Sequence, residues 1–254
     1  TSYPAARCVR ILNPLSADLN VMRQTLLFNT MEAVQLNANR RNGNLRLYEF
    51  GNCYFYDEAA RDAEKPLSAY SEQYRLAIAV TGAAVPQSWN AKPQASSFFT
   101  LRAVAEKLLR RFGLDIYALK CEPLQSDLFG DGISLSAGNG RELLQMGVVA
   151  PRIRRAFDLK QEVYYLEMNF DALVKSTRKH RIAFEELSKF PEVKRDLALL
   201  VDRQVTFAQL RAIALATERK LLKSVSLFDV YEGDKLPEGK KSYALSFVLE
   251  DKSQ

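Results

Sequence analysis

The sequence is poor in the residues that most often carry chemistry. Its 254 residues contain one histidine, three cysteines and one tryptophan. A lone histidine excludes a histidine-built metal site and a catalytic triad, which need several partners in set geometry. His180 itself lies in the basic run Arg178-Lys179-His180-Arg181, as a solvated linker residue does. Cys8, Cys53 and Cys121 are far apart, odd in number and without a C-x-x-C spacing. That pattern argues against a zinc site or a disulfide framework and fits reduced thiols in a cytoplasmic protein. No apolar run approaches the ~20 residues that cross a bilayer, so no membrane span is expected. Thr1 to Arg10 has no basic segment followed by an apolar one, so no signal peptide is expected. The missing initiator methionine suits a fragment or a processed chain.

What remains is ordinary for a protein with a real core. Hydrophobic residues make up 47% and charged residues 26%, enough for one large domain or a medium domain with a small one. The net charge of +6 permits attraction to phosphates without establishing it. The excess is uneven. Residues 152–181 hold 8 Lys and Arg against 4 Asp and Glu, and residues 190–254 hold 11 against 10.

Periodicity divides the chain. After Asn13-Pro14-Leu15-Ser16, Leu27, Met31, Val34 and Ala38 recur at helical spacing and stop near Asn42-Gly43. Leu45–Tyr56 reads as a strand pair or one bent strand, with Gly51 as a bulge or bend. Tyr74, Leu76, Ile78 and Val80 alternate as in a half-buried strand. Trp89 sits in a loop, where packing is expected of it. Leu101 to Phe112 is an amphipathic helix closed by Gly113. Residues 114–172 read as short strands punctuated by Gly130-Asp131-Gly132 and Gly138-Asn139-Gly140, with a strand at Val163–Met168 and a short helix around Asp171–Ser176. Thr177–Lys189 reads as a linker.

From Lys194 the order is strand, helix, strand, strand. Leu197, Leu199 and Val201 alternate. Thr206 and Gln209 are spaced as a capping box, and Phe207, Leu210, Ile213 and Ala214 give a helix face. Leu222–Tyr231 and Ser242–Glu250 follow, joined by the loop Gly233–Gly239. This is the first two-thirds of a ferredoxin-like βαββαβ unit, expected to be truncated here.

Two stretches resemble the β subunit of bacterial phenylalanyl-tRNA synthetase: VRILNPLSADLNVMRQTLL with LRLYEFGNCYF in Val9–Phe55, and SKFPEVKRDLALLVD with SVSLFDVYEG in Ser188–Gly233. The resemblance implies an α+β protein of two modules. Residues 1–186 would form a class II synthetase-like antiparallel sheet with helices, catalytically inactive. Residues 187–254 would form a ferredoxin-fold anticodon-binding domain. It further implies a cytoplasmic (αβ)2 heterotetramer in which the α subunit attaches phenylalanine to its tRNA with ATP and magnesium.

The residues do not support such chemistry in this chain. An active class II site places an arginine on the ATP α-phosphate in the motif FRxE, an electrostatic task that an aromatic residue cannot perform. By the resemblance, Phe55 stands at the arginine position and Asp57 at the acid, and no arginine occurs between Leu47 and Ala60. Gly138-Asn139-Gly140-Arg141-Glu142 has its last pair in the wrong order for the third class II motif and reads as a polar turn. Glu185 and Glu186 diverge by about 100° on a helix, and Asp57, Glu58, Asp62 and Glu64 read as a solvated acidic loop. No catalytic residue, metal ligand or cofactor is expected in this chain.

Two binding roles are expected instead. Leu26, Leu27, Met31 and Val34, on the helix that resembles the class II interface helix, would form an apolar contact with the α subunit. In the second module, Ser226, Phe228 and Ser246 would lie on an open sheet face fringed by Lys194, Arg195, Lys223 and Lys241. Together these would take an anticodon stem-loop by stacking and phosphate contacts. The competing expectation is an inactive class II paralogue that serves as a regulatory or accessory subunit.

Overall fold

The structure, a computed structural model, describes residues 2–138, 140–178 and 190–251. The chain divides into two compact units, residues 1–181 and 182–254. The boundary expected at residues 186 and 187, with His180, Glu185 and Glu186, lies outside the described residues.

The larger unit runs α1 (Leu27–Asn39), β1 (Leu45–Tyr56), β2 (Tyr70–Thr81), the short pair β3 (Ala83–Val85) and β4 (Gln94–Ala95), and α2 (Phe98–Arg111). It continues through β5 (Lys120–Pro123), β6 (Phe129–Ser136), β7 (Glu142–Val149), α3 (Pro151–Ala156), β8 (Val163–Asn169) and α4 (Phe170–Thr177). Six strands form one sheet in the order β1-β2-β8-β7-β6-β5, every neighbouring pair antiparallel. Ser97 and Thr100 close a capping box that starts α2.

Each face of this sheet carries its own core. Leu26, Leu27, Met31 and Val34 meet Ala77, Ala79, Val163 and Tyr165 on one side. Leu101, Ala105 and Leu109 of α2 meet Leu76, Ile78, Val80, Leu144, Met146 and Leu166 on the other. Leu76 to Thr81 are therefore buried without alternation, because helices cover both faces of β2 rather than one.

Several local expectations are corrected. Gly51 makes no bulge, since β1 and β2 keep one register from Leu45↔Thr81 to Tyr56↔Tyr70. A Cβ there would lie 2.0 Å from the Arg23 guanidinium, so glycine makes room for that side chain. Gly130-Asp131-Gly132 is not a turn but part of β6. Gly132 pairs with Gly147, and a Cβ on Gly147 would sit 2.2 Å from the Asp131 carbonyl. The pair lets two backbones approach more closely than side chains permit. Helix α3 interrupts what reads as a run of strands, although Pro151 stands in its first turn, where proline suits a helix start. Trp89 is 98% exposed, so it does not pack as expected.

The smaller unit runs β9 (Val193–Asp202), α5 (Phe207–Thr217), β10 (Leu222–Tyr231) and β11 (Lys240–Leu249), with the antiparallel order β10-β11-β9. The Thr206–Gln209 capping box is formed. Val225, Tyr243 and Leu245 are buried. Leu197 of the alternating strand is 48% exposed, and Ile213 of the apolar helix face 63%. α5 packs along β10, and β9 lies at the other edge of the sheet.

Candidate functional site

The seven residues expected to meet nucleic acid do not share one face. Paired residues of an antiparallel sheet point the same way, and successive residues alternate. Ser226, Ser246 and Asp196 are opposite one another across the three strands, and Lys194 shares their side. Arg195 is paired with Phe247, and Lys241 with Val201, so both point to the other side. Lys223 and Phe228 fall at the two register shifts of β10. They are the extra residues of bulges, which re-aim side chains.

Accessibility separates them further. Lys194, Arg195, Ser226 and Phe228 are exposed, Phe228 by 59%. Lys241 and Ser246 are 8% and 1% exposed, which corrects their expected role. Both are on β11, which has neighbours on each side. The Lys241 ammonium sits 4.6 Å from the centroid of the Tyr243 ring, a cation–π contact. Lys223 is held by Glu192 and by Glu250 at 3.0 Å. The bonds to Glu192 and then Glu250 raise its pKa, so its charge is already balanced by two carboxylates. The accessible set is thus Phe228 and Ser226 with the two cations of β9.

The larger unit carries a second feature that sequence periodicity does not single out. On the face that bears α1, one end of the sheet is polar. Glu167 of β8 is 8% exposed. It accepts the Thr25 hydroxyl at 2.6 Å, the Leu26 amide at 3.0 Å and the Tyr165 hydroxyl at 2.6 Å, and it pairs with Arg75 of β2. The carboxylate therefore satisfies free N–H and O–H groups at the start of α1. Burial opposes the Arg75 charge, but the Glu167 carboxylate outweighs it and raises the Arg75 pKa. Burial, then Glu167, holds the Tyr165 hydroxyl well above the usual tyrosine range. The same two causes push the Cys53 thiol up to about 12. Burial thus keeps Cys53 as the thiol, while the thiolate is the form that reacts. In the native protein a thiol reagent is expected to modify exposed Cys121 while Cys53 reacts only after unfolding. Mass mapping of the labelled peptides reads this out.

A cavity of about 370 Å³ opens over the polar end. Among the described residues, its only lysine or arginine is Arg75, already committed to Glu167. Phe55 stands where the resemblance puts a phosphate arginine, and its ring stacks under Arg75, 5.1 Å away. Asp57 accepts the Ala59 amide in a short turn. Gly138 and Gly140 lie between β6 and β7, and Asn139 lies outside the described residues. Among the described residues no group of three or more His, Cys, Asp or Glu side chains could hold a metal ion.

The expected apolar interface is also corrected. Leu26, Leu27, Met31 and Val34 are all fully buried inside the chain's own core, because Leu26 stands at the start of α1 and the other three form its inward stripe. The outward stripe is Phe28, Glu32 and Leu36, with Phe28 and Leu36 exposed by 43% and 52%. Leu12, Leu15 and Leu19, in the segment before α1, are 93%, 99% and 62% exposed.

A family model described as the phenylalanyl tRNA synthetase beta chain CLM domain matches residues 1–170, and one described as a ferredoxin-fold anticodon binding domain matches residues 188–254. The phenylalanine–tRNA ligase beta subunit of Bacteroides fragilis is 48% identical over 253 residues, covering 100% of this chain and 31% of that protein. The subunit of the same name from Porphyromonas gingivalis is 42% identical over 248 residues, 98% of this chain and 30% of that protein. The chain thus spans about a third of the length of the curated relatives it matches. Among solved structures, a pyrrolysyl tRNA synthetase from Desulfitobacterium hafniense aligns with 68% of this chain and 54% of its own at 15% identity and a TM-score of 0.49.

Proposed function

Because the chain belongs to the phenylalanyl tRNA synthetase beta chain CLM domain family, we propose that it is the part of a phenylalanine–tRNA ligase that docks a catalytic α subunit and grips tRNA, without performing chemistry itself. The observation that carries this reading is the contrast between the two kinds of surface. Among its described residues the larger unit has no uncommitted lysine or arginine in the cavity on its sheet, yet it exposes leucines ahead of α1 and Phe28 and Leu36 along α1. The smaller unit exposes an aromatic ring and basic side chains on an open sheet. ATP and magnesium then belong to the α subunit, the assembly is an (αβ)2 heterotetramer, and its place is the cytoplasm.

The apolar surface gives a direct test. Aspartate introduced at Leu12, Leu15 and Phe28 would place desolvated charge at the docking surface, where central hot-spot losses reach 2 kcal/mol or more, roughly thirtyfold in affinity. These positions are exposed in the chain alone, so its melting curve is expected to stay put. Co-purification with the α subunit is expected to fail. Intact co-assembly of the triple variant would exclude these residues from the interface. The smaller unit recognises a single-stranded loop by stacking on Phe228, while Lys194, on the same side of the sheet as Ser226, holds a backbone phosphate.

A further inference from the structure

We propose that a trough on the α2 side of the larger unit's sheet binds a short linear aliphatic diamine. It lies on the opposite face from the polar cavity around Arg75 and Glu167, and its role is separate from subunit docking and from tRNA. Two cavities make the trough, of about 520 and 280 Å³. Glu162 and Tyr164 line both, so the cavities adjoin there. The larger one alone falls within the roughly 300–1,000 Å³ of small-ligand pockets.

Strand register places its walls. Asp131 of β6, Val148 of β7 and Tyr164 of β8 are opposite one another across three neighbouring strands, so their side chains share one face. Ile133, two residues along β6, continues that face, and Phe98, the first residue of α2, also lines the trough. At the other end the β3–β4 pair contributes Ala83 and Ala95. The middle of the trough is therefore apolar. Asp131 stands two strand spacings from Tyr164, about 10 Å. Glu162 immediately precedes β8, and its carboxylate accepts the Tyr164 hydroxyl. A carboxylate thus stands at each side of the apolar stretch.

Charge and one buried hydroxyl define the ligand. Among the described residues, no lysine or arginine lines either cavity. Beside the trough, Arg46 and Arg154 donate to the carbonyls of Ala84 and Gln161, at 2.8 and 3.2 Å. Burial, then the bond to Glu162, pushes the Tyr164 hydroxyl up to about 12, so it stays a donor and leaves the negative charge on Glu162. Ser96 lines the larger cavity and is 7% exposed, and its buried hydroxyl has no hydrogen-bond partner. Such a group is costly to leave unmatched. An ammonium has three donors and no acceptor, so one held between Glu162 and the Ser96 hydroxyl satisfies both. A second ammonium meets Asp131, and the methylenes between them cover Val148 and the Tyr164 ring. A single amine leaves one carboxylate unmatched, and an anion meets only like charge.

Ligand-observed NMR on the 254-residue chain, with putrescine and cadaverine as probes, tests the assignment. Butylamine and Nα-acetyl-lysine amide carry a single ammonium, the second standing for a lysine side chain of a partner protein. Saturable binding of a diamine is expected with a Kd of about 1 mM or tighter, and binding about tenfold weaker for both single amines. Asp131→Asn and Glu162→Gln are each expected to weaken the diamine about tenfold, and Ser96→Ala about threefold. Both carboxylates are exposed, so these two variants are expected to melt with the parent chain. Glu64→Gln removes the same charge from another exposed loop and is expected to change nothing. The proposal is overturned by absence of saturable diamine binding, by a single amine binding as tightly as the diamine, by diamine binding that either carboxylate variant leaves unchanged, or by an equal loss in Glu64→Gln.

Discussion

Glu167→Ala is expected to cost the larger unit about 3–5 kcal/mol, the usual penalty for breaking a buried ion pair by removing one partner. The size follows from what the carboxylate holds. It joins β8 to β2 through Arg75, takes the Thr25 and Leu26 groups that begin α1, and accepts the Tyr165 hydroxyl. Its removal leaves the Arg75 charge, 18% exposed, without its partner. Hydrogen exchange of β2 and β8 amides, compared with those of β9 to β11, separates this loss from global unfolding. Protection should fall in the larger unit alone. Arg75→Met is expected to cost a similar amount. The double variant Arg75→Met, Glu167→Leu should recover part of the loss, because neither charge is then left buried alone. If Glu167→Ala leaves exchange in β2 unchanged, the carboxylate does not organise this face.

The second large effect is expected at the smaller unit. Phe228→Ala removes a ring available for stacking, worth about 1–3 kcal/mol per base, or about fivefold to a hundredfold in tRNA affinity. Lys194→Ala should weaken binding and flatten its salt dependence, by about 0.7 in log–log slope for each single-strand phosphate that is no longer neutralised, while Arg195→Ala, on the other side of the sheet, should do less. Lys223→Ala is expected to do little beside them, since Glu192 and Glu250 already engage that ammonium. Filter binding of tRNA to the complete ligase across a salt series gives both readouts. An unchanged affinity for Phe228→Ala combined with Lys194→Ala would assign the tRNA to another surface.

Much of the fold is legible because it rests on local signals. The α2 periodicity, the Thr206–Gln209 capping box and the alternation in β9 each fix an element within a few residues of where it lies. The failures arise where a long-range partner decides. Gly132 reads as a turn until Gly147 is placed opposite it. Leu26, Leu27, Met31 and Val34 are apolar at helical spacing whether the stripe faces inward or toward a partner, and only the sheet beneath distinguishes the two. Ser246 and Lys241 alternate correctly, yet burial depends on β11 lying between β9 and β10. Simple alternation places Phe228 only approximately, because a bulge interrupts it. The Arg75–Glu167 pair joins residues 92 positions apart, and nothing in either local segment announces it.

The account depends on the larger unit having no grip on nucleotide phosphates. Calorimetric titration of the chain with ATP and magnesium tests this most directly. No saturable heat is expected up to about 1 mM, a limit of roughly 4 kcal/mol of binding free energy. Saturable binding that Arg75→Met abolishes would place a nucleotide on the sheet and contradict it.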